Sequence, residues 1–140
     1  MVPRHHILFG LIFFILVWIF GVPLFFSLII FLSSFLIDID HYFYYAIKNK
    51  NWSIRKAYNC GIEDSKKKTH ISKPLFAFFH TLEFLIILFC ISLFYKILFF
   101  VWVGFMFHMA LDIIDMDEHG ELNMKNLSLI FALKNEICTN

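Results

Sequence analysis

The chain reads as an all-α protein, a four-helix bundle embedded in a membrane, and three observations predict it. Hydrophobic residues fill 60% of its 140 positions and charged residues 16%, against about 45–50% and 25% in soluble domains, and the mean hydropathy is +0.74. No charged side chain occurs from Ile7 to Ile37. The apolar stretches are separated by Gly21-Val22-Pro23, by a basic segment and by Tyr95-Lys96. No Gly/Ser linker interrupts them, so residues 1–140 are expected to form one integral membrane domain.

A single helix through 7–37 would be about 46 Å long, against a hydrocarbon core of about 30 Å. Gly21 and Pro23 punctuate its middle, which predicts a tight hairpin of two spans, about 5–20 and 24–47. One long helix kinked at Pro23 is the alternative. Residues 48–73 carry Lys48, Lys50, Arg55, Lys56, Lys66, Lys67, Lys68 and Lys73 against Glu63 and Asp64. A basic patch can serve nucleic acid or anionic lipid, but beside spans a Lys/Arg-rich loop marks the cytoplasmic side. Pro74 suits the first turn of a helix and opens a third span, about 74–94. The fourth follows over about 97–115. The opposite face then holds only the two short turns, so both termini are expected in the cytoplasm of a multi-pass inner-membrane protein.

Arg4 followed by the apolar run Ile7 to Phe20 mimics a signal peptide. No A-x-A-like cleavage site follows, and the segment is expected to be retained. In the tail 116–140, Leu127, Ile130, Phe131, Leu133 and Ile137 share one helical face. The tail is expected either to lie along the membrane surface or to cover the cytoplasmic mouth of the bundle. The net charge of +1 supplies no global basic field, so nucleic acid is not an expected partner. Cys60, Cys90 and Cys138 form no C-x-x-C pair, which argues against a zinc knuckle or a disulfide framework.

Chemistry concentrates at four places: His5-His6, Asp38-Ile39-Asp40-His41, His80 to Glu83, and His108 to Asp112. Ionisable groups at membrane depth cost about 2.5–3.5 kcal/mol each and tend to be retained for function. Counted from the outer turns, His6, Asp38, His41, His80, Glu83, His108 and Asp112 all lie about 17–26 Å deep, in one layer near the cytoplasmic interface. Asp38 with His41, His80 with Glu83, and His108 with Asp112 and Asp115 are spaced to share a helix face. Helix-bundle metal sites are built from such pairs. Asp38, Asp40, Glu83, Asp112 and Asp115 bring negative charge to the layer with only Arg4 at its rim, so protons or cations must neutralise it. Histidines among carboxylates favour a divalent transition metal, Zn, Mn, Fe or Ni, with one or two ions. His5, Asp40, Asp115 and His119 also fit solvated interface positions, and His70 lies in the basic loop.

These residues resemble a family, the predicted membrane-bound metal-dependent hydrolases of bacterial and archaeal inner membranes. Its pattern is a histidine four residues before a glycine, D-I-D-H after the second span, H-S or H-T in the third and G…H-x-x-x-D in the fourth. The matching residues are His6 with Gly10, Asp38-Ile39-Asp40-His41, His80-Thr81, and Gly104 with His108 and Asp112. The resemblance covers about residues 4–115. Ile37 stands where many members have proline, and Phe76-Ala77-Phe78-Phe79 where many carry H-R-G. Without that arginine, a phosphate substrate has less support.

The expected function is metal-dependent hydrolysis at the cytoplasmic membrane interface. The partners would be membrane lipid and a small-molecule or lipid substrate, such as a phosphoester or ester. His6, Asp38, His41, His80, His108 and Asp112 are the expected ligands, with Glu83 or Asp40 as general base or bridging ligand. No Ser or Cys is placed as a nucleophile. Two other readings use the same cluster: a metal-ion or proton transporter, and a structural metal site with no open position. Against transport, the polar groups stop in one layer and the spans beyond it are almost purely apolar.

Overall fold

A computed structural model of the chain describes residues 3–67, 78–118 and 128. The described chain is all-helical, with no strand. Its helices are α1 Pro3–Ile19, α2 Leu24–Leu36, α3 Ile39–Asn49, α4 Ile54–Lys67, α5 Leu82–Ser92 and α6 Lys96–Glu118, with a 3-10 turn at Phe78–His80.

Gly21 takes φ +94 between α1 and α2, a conformation open to glycine at little steric cost. Its N–H reaches back to Trp18 O at 3.0 Å, and Phe26 and Ser27 N–H close the first turn of α2 on Pro23 O. The expected hairpin is therefore observed, and the kinked single helix is not. α2 and α3 follow one another through a bend at Ile37–Asp38. Lys50 ends α3 in the left-handed region, and Tyr42 Oη ties the next loop by donating to Trp52 O at 2.9 Å.

The centre of the molecule is the α2–α6 pair, with α1 against α2 and α5 against α6. α2 and α6 run parallel, because Gly104 faces Ile30 and Ser33 while His108, one turn on, faces Ser34. A Cβ on Gly104 would overlap Ser33 Oγ and press on Ile30 O; one on Gly10 would stand 2.6 Å from Ser34 Oγ. Gly104 therefore requires glycine for close helix approach, since backbone stands in the way, whereas at Gly10 the close contact is with the Ser34 hydroxyl alone. The seam serines satisfy themselves on their own helices, Ser33 Oγ donating to Ile29 O at 2.8 Å and Ser34 Oγ to Phe31 O at 2.8 Å. Small residues in the seam let backbones pack closely where large apolar side chains would separate them.

Burial is inverted relative to a water-soluble bundle. Among the described residues, the buried hydrophobic ones are Ile30, Ile37, Ala46, Leu85 and Met109, whereas His6, Ser27, Ser33, Ser34, Asp40, His80, Thr81, Ser92, His108 and Ser128 are buried polar ones. Ile19, Phe20, Phe25, Leu93 and Phe94 are exposed. Two stretches, Leu24–Lys48 (α2 with most of α3) and Lys96–Glu118, are long and apolar enough to cross a membrane.

The expected third span differs most from the structure. Pro74 lies outside the described residues, Phe78–His80 is a 3-10 turn and Thr81 is extended at φ −97, ψ 143. The α-helix begins only at Leu82 and has 11 residues, about 17 Å of rise. The reason is a cap: Thr81 Oγ1 donates to Phe78 O at 2.9 Å and accepts from Phe84 N at 3.3 Å, so the helix starts behind it. The basic segment, expected as a loop, contains α4, whose start is braced by Ser53 Oγ accepting from Lys56 N at 3.4 Å. Of the tail, 116–118 belongs to α6 and only Ser128 is otherwise described, so its expected amphipathic face lies outside the described residues.

Candidate metal centre

The bend at Ile37–Asp38 is the local device that builds the site. Asp38 N–H bonds Phe35 O at 3.3 Å and His41 N–H bonds Asp38 O at 3.1 Å, so the ladder tightens to i, i+3 there. In a uniform α-helix, residues two apart point to widely separated directions. Here Asp38 and Asp40 both reach His80, from its two different nitrogens: Asp38 Oδ1 is 3.5 Å from Nε2 and Asp40 Oδ2 is 3.1 Å from Nδ1.

Around that contact the four stretches converge. His80 Nε2 and His108 Nε2 stand 3.2 Å apart. Asp38 Oδ1 is 3.4 Å from His108 Nε2, and Asp112 Oδ2 is 3.1 Å from the same atom and 3.8 Å from His80 Nε2. Asp112 Oδ1 lies 3.2 Å from His6 Nε2. The His6 ring stacks on His108 at 4.1 Å, and the His41 ring is tilted over His80 at 4.7 Å. His108 is wholly buried and His6 nearly so, whereas the His41 side chain is 45% exposed and forms the open side.

Three groups have ligand atoms within 4.8 Å of one another and can hold a metal ion: His6, Asp38 and His108; Asp38, His41 and His80; and His80, His108 and Asp112. A second set of contacts orients the donors. His108 Nδ1 stands 2.6 Å from Ser34 O. A carbonyl only accepts, so Nδ1 carries the proton and donates it. His80 Nδ1 likewise faces the carboxylate of Asp40, which also accepts from Phe79 N at 3.3 Å. Both imidazoles therefore turn Nε2 toward the carboxylates of Asp38 and Asp112 and toward each other. Two Nε2 atoms 3.2 Å apart need a proton or a metal cation in the space they face. Metal-binding histidines are held in this way, the far nitrogen donating to a carbonyl or carboxylate. The donor set of imidazoles and carboxylates fits a divalent transition metal.

All six expected ligands, His6, Asp38, His41, His80, His108 and Asp112, occur in these groups. Asp40 stands behind His80, outside the three groups, with Oδ1 buried and without a hydrogen-bond partner among the described residues. Glu83 is elsewhere: it lies in the first turn of α5 and accepts a hydrogen bond from Ser128 Oγ. The expectation that His80 and Glu83 share a helix face does not hold, because the Thr81 cap puts His80 in the 3-10 turn before the helix. Asp115 lies beyond Asp112 on α6 and, like His5 on α1, outside the three groups. His70 and His119 lie outside the described residues.

Sequence reasoning missed the Ser34 carbonyl, since a backbone acceptor leaves no signature in side-chain identity. It matched Gly10 and Gly104 without their reason, which is helix approach one turn from His6 and His108. The apolar cluster of Ile37, Leu85 and Met109, with Phe79, Trp102 and Phe105 packed on it, adjoins the centre through the neighbours of Asp38 and His108. Compared with family models, with curated proteins and with solved structures, the chain matches none, so the reading of this site rests on its own geometry.

Proposed function

We propose that the protein is a multi-pass inner-membrane hydrolase that uses a divalent transition metal at the cytoplasmic end of a four-span bundle. The observation that carries the metal reading is the pair of Nε2 atoms 3.2 Å apart, each ring held from behind by an acceptor. Membrane embedding draws support from the inverted burial and from the two stretches long enough to span. α1 and α5, shorter but apolar, would complete the four-helix bundle by packing on that pair.

His6, Asp38, His80, His108 and Asp112 would hold the ion, with His41 at the open side. A metal in such a site supplies Lewis acidity and a water whose pKa falls toward ~7. The protein's part is orientation and proton acceptance. Ser34 O and Asp40 Oδ2 hold two imidazoles in the ligating tautomer. Glu83 is turned to Ser128, whereas Asp40 Oδ1 accepts no hydrogen bond among the described residues and lies 3.9 Å from His41 Nδ1 at the open side. Asp40 is the base we assign. The exposed His41 marks the side from which substrate enters, between the apolar outer surface and the polar α3–α4 end. That boundary suits an amphiphilic lipid or phosphoester or ester substrate.

The test is turnover of a panel of phospholipids, phosphoesters and acyl esters by protein loaded with Zn or Mn in liposomes. The expected result is chelator-sensitive hydrolysis of at least one class. Liposomes that conduct metal ions or protons while no substrate is cleaved would replace this reading by transport.

A further inference from the structure

We infer that the centre is built for two metal ions, with Asp38 as the carboxylate between them. The inference rests on the metal-dependent reading above and deepens it. Six side-chain donors, His6, Asp38, His41, His80, His108 and Asp112, take part in the three groups. Six protein donors on one octahedral ion would leave no position for water, whereas a catalytic metal keeps one open.

The donors divide by position. On one side, His6 stacks on His108 at 4.1 Å and Asp112 joins them, with Oδ1 3.2 Å from His6 Nε2 and Oδ2 3.1 Å from His108 Nε2. These three come from α1 and α6. On the other side, the His41 ring tilts over His80 at 4.7 Å, from α3 and the 3-10 turn. Asp38 reaches both sides, forming one group with His6 and His108 and another with His41 and His80, while the third group, His80 with His108 and Asp112, brings the two sides into contact. Its Oδ1 is almost equidistant from the two sides, 3.4 Å from His108 Nε2 and 3.5 Å from His80 Nε2. Paired ions about 3.5–4 Å apart clamp the attacking and leaving oxygens of a displacement. A substrate with a bridging phosphoryl or carboxyl-ester oxygen is the class that such a pair serves. The buried ion would be held by His6, His108 and Asp112, and the outer one, with its open positions, by His41 and His80 beside the entrance.

The test is Mn(II) loading of the full-length protein in detergent, read by metal analysis and by electron paramagnetic resonance. About two Mn(II) per chain with an exchange-coupled signal are expected. His41→Ala, at the exposed position, should bind close to one ion and lose the coupling while keeping the fold. His6→Ala should lose the other ion and keep one. A wild type that binds a single uncoupled ion overturns the paired centre and leaves the one-metal hydrolase standing. A wild type that binds no ion overturns both.

Discussion

The two ends of the α2–α6 pair are built on opposite principles. At the end near Gly21 and Phe94, packing is non-directional: Phe26 stacks on Phe100 at 4.3 Å, and Lys96 Nζ lies 4.9 Å above the Phe26 ring. The surrounding Phe20 and Phe94 are 85% and 83% exposed. At the other end, His108 is wholly buried and held by Ser34 O, Asp38, His80 and Asp112. Apolar contacts at the first end tolerate exchange because many arrangements are nearly equal in energy. The second end is over-determined at His80 and His108, each of which has partners at both ring nitrogens. One end satisfies an apolar environment; the other holds a chemical geometry.

The sharpest break of that comparison would be topological. Single cysteines at Lys50 and Tyr95, in a background without the native cysteines, are expected to label from opposite sides of sealed vesicles. Labelling of both from one side would leave too few spans for a bundle with a cytoplasmic site. Next in size is the metal. Asp38→Asn combined with His108→Ala should abolish metal retention in the purified protein. Wild type treated with chelator should lose stability by about 2.7 kcal/mol relative to protein holding metal at a hundredfold excess over Kd. Wild type that melts identically with and without chelator would remove the centre.

Asp40→Asn separates orientation from coordination. It keeps the shape but weakens the hold on His80 Nδ1 and removes the proposed base. Metal affinity should fall about 10–100-fold and turnover by about 10²–10⁴-fold. Full activity in this variant would return the role of base to another carboxylate. Gly104→Ala probes the seam beneath the site. Its methyl meets Ser33 Oγ and Ile30 O, and overpacking of this kind costs about 1–3 kcal/mol. Thermal unfolding in detergent should show that loss together with weaker metal binding, whereas Phe100→Leu at the apolar end should leave metal binding untouched. The smallest effect is expected for Glu83→Gln, which keeps an acceptor for Ser128 Oγ. Metal content and turnover should stay near wild type, and a loss of either would bring Glu83 back into the site.

Much of this molecule was legible in its sequence. The uncharged run to Ile37, the Gly21-Val22-Pro23 turn and the Tyr95-Lys96 turn are local signals, and they predict the helices and hairpins that are observed. The four His/Asp stretches were legible as one cluster, and the structure brings His6, Asp38, His41, His80, His108 and Asp112 together. Asp38 and His41 do come together with His80, as their spacing implies. The pairing of His80 with Glu83 differs, because the Thr81 cap ends the helical period between them. Such a break turns side chains by large angles, and helical spacing alone does not register it.

Composition and periodicity settled the apolar helices on either side of Gly21-Val22-Pro23 and after Tyr95, and which residues carry charge into an apolar chain, because these depend on each residue and its near neighbours; they did not register α4. Which nitrogen of His108 faces inward, why Asp40 stands behind His80, and why Glu83 turns to Ser128 depend on contacts 74, 40 and 45 residues apart along the chain. Those contacts exist only once Gly10 and Gly104 have let α1 and α6 close on α2, and no local pattern encodes that distance.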